Sequence, residues 1–153
     1  MVSGMEPATV TLVGIGSALI VLGGLIAAVT GPLEIAQGSW LAAYLVLVCG
    51  VAQVVLGLAQ EYLGGRRVSR SVAWAQVACW NLANAAVITG TVAATPVFVI
   101  LGGLLLLPAL AIGLITTRHT HRLALGWAFR GVIAILAVSI PIGMGLALVR
   151  NGG

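Results

Sequence analysis

The sequence predicts an all-α integral membrane protein, a bundle of five transmembrane helices. Only 7% of the 153 residues are charged and 61% are hydrophobic, whereas roughly a quarter of the residues of a soluble domain are charged. There is no Asp and no Lys, and the uncharged stretches are long enough to cross a bilayer. So few charges cannot cover a water-soluble surface. We therefore expect one transmembrane domain over residues 1–153, with no extramembrane domain.

The first two spans follow from length and from helix-stopping residues. A bilayer core about 30 Å thick needs about 20 apolar residues in a helix that rises about 1.5 Å per residue. The first predicted span is Val10 to Val29, which ends before Thr30-Gly31-Pro32. The second is Ser39 to Gln60, with Trp40 and Tyr62 near its ends as interfacial aromatic residues.

The third, fourth and fifth spans come from a long uncharged stretch and from the apolar run after it. The 47 residues from Ser71 to Thr117 carry no charge, and as one helix they would be about 70 Å long, more than twice the bilayer core. The chain must therefore turn back. Pro96 favours a new helix start, because its missing N–H would be unpaired in a first turn anyway. The predicted spans are Ser71 to Gly90, Pro96 to Ile115 and Gly131 to Val149.

The arginines set the predicted orientation. With five spans, the N-terminus, the loop between spans two and three, and the loop between spans four and five share one side. Six of the seven arginines lie on that side, and only Arg150 lies opposite. The positive-inside rule then puts the N-terminus in the cytoplasm and the C-terminus outside, in a multi-pass protein of the cell (inner) membrane. The absence of Lys beside abundant Ala, Val, Gly and Arg is typical of a GC-rich bacterial genome.

The candidate site is a group of polar side chains within spans two and three: Gln53, Gln76, Trp80, Asn81 and Asn84. At 100° per residue, the four residues of span three fall on one side of the helix, which is expected to face protein. Counted from the connecting loop, the Cα atoms of Gln53 and Gln76 differ by only about 3 Å in depth. A hydrogen bond between these two amides is therefore predicted.

Two interpretations of this amide cluster stay open. In the first, the amides only hold helices together, at about 0.6 to 2 kcal/mol for each hydrogen bond. In the second, they line a polar pocket, roofed by Trp80, for a lipid, a quinone or a small neutral solute. Polar intramembrane residues mark functional sites most strongly when they are ionisable, and these are not.

A basic face is predicted on the cytoplasmic side: Arg66, Arg67, Arg70, Arg118, His119, His121, Arg122 and Arg130. It could serve as a topological anchor or bind anionic lipid head groups. The spacing of His119 and His121 would also suit a metal, but no Cys, Asp or further His accompanies them. The segment from Leu123 to Arg130 is expected to lie along the membrane interface.

Stripes of small residues are predicted to let helices approach closely. They are Gly16, Gly24 and Ala28 in span one, and Ser139, Gly143 and Ala147 in span five.

Several activities are disfavoured. Both histidines lie in a loop, so axial haem ligands inside the bundle are missing. Glu6, Glu34 and Glu61 lie at or beyond the interface, which disfavours proton coupling. No nucleophile, base and orienting acid occur together. Cys49 and Cys79 both lie in apolar runs, so no disulfide framework is indicated.

We therefore expect no enzyme, no cofactor and no nucleic-acid partner. The expected function is that of an accessory or assembly subunit of a membrane complex, or of a homo-oligomer. Its partners are then the lipid bilayer and another membrane protein or a second copy of itself. The alternative is a small channel or carrier for a neutral solute or lipid that uses the Gln/Asn cluster.

Overall fold

The computed structural model of the chain describes residues 5–63, 68–117 and 123–151, and all the regular structure in these ranges is helical. Five helices follow one another: α1 (Pro7–Thr30), α2 (Gly38–Leu63), α3 (Arg70–Val92), α4 (Pro96–Thr116) and α5 (Leu123–Asn151). Helices α1, α2 and α4, and residues Ala124–Gly143 of α5, are long and apolar enough to cross a membrane. The chain is thus an all-α, multi-pass membrane protein by the length and composition of its helices.

Helix α3 differs from the other four. Its 23 residues would extend about 35 Å, enough to cross a bilayer core. Its polar residues lower its hydropathy, however, and it is not among the four helices that qualify as membrane spans. The helix predicted as span three exists, while the count of five spans stays a prediction.

Proline and glycine residues lie at several of the helix ends. Helix α1 starts with Pro7 in its first turn and ends at Thr30, before Gly31-Pro32. Helix α4 starts at Pro96, as predicted. Between α3 and α4, the Thr95 N–H donates to the Gly90 carbonyl at 2.8 Å and Ala94 adopts a positive φ of 51°. This tight turn reverses the chain.

Helix α5 begins earlier than predicted. Residues Leu123 to Arg130 belong to the same helix as the apolar run that follows them. The expectation of a separate interfacial segment ending at Arg130 is therefore wrong. The physical reason is that an Arg side chain can extend toward the head groups while its backbone stays helical, so one charge does not end a helix.

Helix α2 contains a π-helical segment, Leu45–Ala52, between two α-helical parts. In a π-helix the backbone hydrogen bonds run from i to i+5, which widens the helix, and such segments are frequent at functional sites. The segment ends directly before Gln53.

The chain divides into two compact units, Met1–Glu61 and Tyr62–Gly153. In the first, α1 packs against α2 through glycines. A Cβ atom at Gly16 would lie 2.8 Å from Val54 Cγ2 and 2.9 Å from the Gly50 carbonyl oxygen. The two backbones approach this closely only because Gly16 has no side chain. The prediction of a single domain stays a prediction.

In the second unit, α3 packs against α4, and α5 packs against α4. Glycines again mark the closest contacts. A Cβ atom at Gly102 would lie 2.6 Å from the Ala83 carbonyl oxygen, and one at Gly90 would lie 2.7 Å from the Val99 nitrogen. Such backbone-to-backbone contacts bring the polar face of α3 against α4.

Candidate functional site

The polar face of α3 is largely buried. Gln76 and Trp80 are 1% exposed and Asn84 is 3% exposed, while Asn81 is half-buried. Because these residues recur every four positions, a helix brings three of them onto one stripe. The structure therefore buries the predicted face, and the amides must find hydrogen bonds inside the protein.

Gln76 makes the bond that joins two helices. Its Nε2 donates to the carbonyl oxygen of Ala109 on α4 at 2.8 Å, in a buried setting. Ala109 is itself fully buried, and its small side chain leaves room for the amide to reach the α4 backbone.

The two asparagines bond to their own helix. Asn81 Nδ2 donates to the Val77 carbonyl at 2.8 Å, and Asn84 Nδ2 donates to the Trp80 carbonyl, also at 2.8 Å. Both are bonds from a side chain to the backbone four residues earlier, the local pattern by which polar side chains inside helices satisfy their donors.

Trp80 carries an unsatisfied donor. Its indole Nε1 is buried and has no hydrogen-bond partner within residues 5–63, 68–117 and 123–151. A buried N–H without an acceptor costs about 1 to 3 kcal/mol. The Trp80 side chain therefore fills space on the polar face of α3 without making a hydrogen bond of its own.

Gln53 lies in the first unit, directly after the π-helical segment of α2. It is 0% exposed, and neither its Nε2 nor its Oε1 has a hydrogen-bond partner among the described residues. The hydrogen bond predicted between Gln53 and Gln76 is therefore wrong for this structure. Gln76 donates within its own unit instead, to the α4 backbone.

Most of the predicted basic face lies outside the described residues: Arg66, Arg67, Arg118, His119, His121 and Arg122. Arg70 is exposed and begins α3. Arg130 is half-buried on α5, and its guanidinium carbon lies 5.3 Å from the centroid of the Trp127 ring. This is within the distance of a cation–π contact.

The described residues bring together no three His, Cys, Asp or Glu side chains that could hold a metal ion. Cys49 is buried and Cys79 half-buried, and both are free thiols. Glu34 and Glu61 are exposed, and Glu6 precedes the first turn of α1. The buried polar side chains of the described residues are neutral: the amides of Gln53, Gln76 and Asn84, the hydroxyls of Thr9, Thr116 and Thr117, and the indole of Trp80.

Sequence reasoning missed the π-helical segment before Gln53. The run Leu45–Ala52 is uniformly apolar, so neither a polar residue nor a proline signals a change of helix type. The comparisons give no family, since no family model, curated protein or solved structure matches this chain.

Proposed function

We propose that the chain is a non-catalytic subunit of a membrane assembly, either an accessory or assembly subunit of a membrane complex or a homo-oligomer. One observation carries this proposal. The described amide donors of Gln76, Asn81 and Asn84 are directed at helix backbone carbonyls. An amide that bonds to a backbone carbonyl stabilises a helix or a helix pair, and it is less available to a passing solute.

The proposal includes five spans, with α3 as the fifth. Helix α3 is long enough to cross the bilayer. Its amides bond to helix carbonyls, which lowers the cost of placing them in an apolar environment. With α3 inside the membrane, six of the seven arginines share one side, so the N-terminus is cytoplasmic and the C-terminus lies outside.

An exposed face of helix α1 supports an assembly role. Val21 and Leu25 are 64% and 61% exposed, and a Cβ atom at Gly14 or Gly24 would meet nothing within 4 Å. In a bilayer this face meets lipid chains or another helix, and small residues allow close approach of a helix.

The test is the mass of the particle after purification in a mild detergent. Native mass spectrometry is expected to give a defined oligomer, or a defined complex with another membrane protein. A strictly monomeric particle with no bound protein, at concentrations that keep the fold intact, would contradict the proposal. Reporter fusions at the two ends of the chain test the orientation separately, because five spans put the ends on opposite sides.

The second candidate function is a small channel or carrier for a neutral solute or lipid. It is favoured by the buried Nε2 and Oε1 atoms of Gln53, which have no partner in the described chain. A neutral solute with a donor and an acceptor would satisfy such atoms. Under this proposal Asn84→Leu abolishes solute flux into proteoliposomes while the protein still inserts and folds. If Asn84→Leu only lowers stability, the amides serve packing alone.

A further inference from the structure

A groove of about 460 Å³ lies within the first unit, where α1 ends and α2 begins. Its volume is within the range of roughly 300 to 1,000 Å³ that is common for small-molecule sites. The end of α1 forms one wall, and the first turns of α2 form the other. The lining residues include Ala27, Thr30 and Gly31 on the first wall and Ser39, Ala43 and Leu47 on the second.

Close packing at one end of the groove holds its two walls together. A Cβ atom at Gly38 would lie 2.7 Å from Thr30 Cγ2, so the start of α2 lies directly against the last residue of α1. Two backbone hydrogen bonds fix the connecting turn to the same wall. The Glu34 N–H donates to the Gly31 carbonyl at 3.2 Å, and the Ile35 N–H donates to the Thr30 carbonyl at 3.1 Å.

The groove crosses the edge of the bilayer core. The 26 residues of α2 extend about 39 Å, which exceeds a core of about 30 Å by about 4 Å at each end when the helix is centred. Ser39, the second residue of α2, then lies outside the core, while Leu47 lies about 9 Å inside it. Trp40 is 38% exposed, as is typical of an aromatic residue at the membrane interface. The groove therefore runs from a hydroxyl-bearing end at the interface to an apolar end among the lipid chains.

The mouth of the groove is negatively charged. Residues 31–37, which connect α1 to α2, contain Glu34 as their one charged residue and no Arg or Lys. Glu34 is exposed, and its backbone is hydrogen-bonded to Gly31 of the groove wall. A carboxylate at this position attracts a cationic group at the mouth and repels an anionic one.

We propose that this groove binds a phospholipid whose head group carries an ammonium. One acyl chain lies against the apolar end of the groove, and the exposed Ser39 hydroxyl donates to an ester or phosphate oxygen. The ammonium pairs with the Glu34 carboxylate. A helix of a second copy would match the apolar end, but it would not use the charge at the mouth. The site does not involve the buried amides of α3, and it does not depend on the proposed assembly role.

The experiment measures lipid binding to the purified full chain in a nonionic detergent by native mass spectrometry. Phosphatidylethanolamine and phosphatidylglycerol with the same acyl chains are titrated separately. The wild type is expected to bind phosphatidylethanolamine more tightly. Glu34→Gln is expected to reduce this preference about two- to fivefold, the effect of one exposed ion pair. Glu61→Gln removes the same charge from an exposed position near the other end of α2, and it should leave the preference unchanged.

A second pair of variants tests the apolar end of the groove. Ala43 is exposed and Leu is a good helix former, so Ala43→Leu preserves the fold. Because the larger side chain overlaps the acyl chain, Ala43→Leu is expected to weaken the binding of both lipids at least about fivefold. Ala28→Leu makes the same change at an exposed position of α1 that does not line the groove. It should bind both lipids like the wild type.

Three results would overturn the proposal. An unchanged lipid preference in Glu34→Gln would mean that the carboxylate does not select the head group. If Ala43→Leu dissociates an oligomer but keeps its lipid binding, the groove belongs to a second copy of the chain. Displacement by millimolar glycerophosphoethanolamine, which has the head group but no acyl chains, would show that the apolar end contributes nothing. A monomeric particle with the expected lipid preference would instead contradict only the assembly role.

Discussion

Gln76 and Ala109 connect α3 to α4 through one buried hydrogen bond, in which Gln76 Nε2 donates to the Ala109 carbonyl oxygen at 2.8 Å. Pro108 lies directly before Ala109 inside α4 and has no N–H to donate to the carbonyl four residues earlier. The interhelical bond therefore lies within one turn of the position where α4 lacks an internal backbone hydrogen bond. At this level a neighbouring helix contributes to the polar contacts of α4.

Replacing Gln76 by Leu is expected to lower the free energy of unfolding by about 0.6 to 2 kcal/mol, the range for interhelical hydrogen bonds in membranes. Stability falls because Leu has no N–H group to donate to the Ala109 carbonyl oxygen. The Ala109 carbonyl itself remains part of the α4 backbone. The measurement is unfolding in mixed micelles as the fraction of denaturing detergent rises. Gln37→Leu, at an exposed position outside the helices, is the control and should change little. Equal stability of Gln76→Leu and the wild type would mean that the bond contributes nothing.

The close contact of α1 with α2 predicts opposite effects for two glycines of one helix. Gly16→Ala would place a methyl group 2.8 Å from Val54 Cγ2 and 2.9 Å from the Gly50 carbonyl oxygen, so we expect a loss of about 1 to 3 kcal/mol from overpacking. Gly14→Ala meets nothing within 4 Å, and its higher helix propensity should leave stability equal or raise it by up to about 1 kcal/mol. Unfolding curves of the two variants, measured side by side, test the packing of α1 on α2. Similar curves for both would argue against it.

A second glycine pair tests the packing of α3 on α4. A methyl group at Gly102 would lie 2.6 Å from the Ala83 carbonyl oxygen, and because this atom is backbone, the two helices must move apart. Gly102→Ala is therefore expected to destabilise the protein by about 1 to 3 kcal/mol. Gly131→Ala on α5, with open space around the new methyl group, serves as the control. The prediction fails if Gly102→Ala is as stable as Gly131→Ala.

Gln53→Met distinguishes the two candidate functions. Met has nearly the volume of Gln but lacks its two buried, unpartnered polar atoms. If the protein only assembles through its helices, removing these atoms is expected to raise the free energy of unfolding by about 1 to 3 kcal/mol. If Gln53 binds a solute, Gln53→Met instead loses solute flux in proteoliposomes. Gln37→Met, at an exposed position, is the matched control for both measurements.

Local features of the sequence were enough to predict most of the helices. Apolar length predicted the helices, and Thr30-Gly31-Pro32 and Pro96 predicted two of their ends, because the missing N–H of proline acts on the chain next to it. The helix boundary predicted at Arg130 is wrong, because α5 continues through this residue and one charge at the edge of an apolar run does not end a helix. The polar face of α3 was also predictable, because helical periodicity alone decides which side chains share a side.

By itself the sequence determined that this is an all-α, multi-pass membrane protein, with neutral amides and an indole as the predicted polar groups of spans two and three. Only the tertiary structure decided that Gln76 donates to Ala109, that Gln53 has no partner among the described residues, and that Gly16 rather than Gly24 makes a close contact. Hydrophobic length and proline stops act within one segment and are therefore visible in the sequence. Hydrogen bonds and glycine contacts depend on the rotation and register of two packed helices, which no single segment encodes.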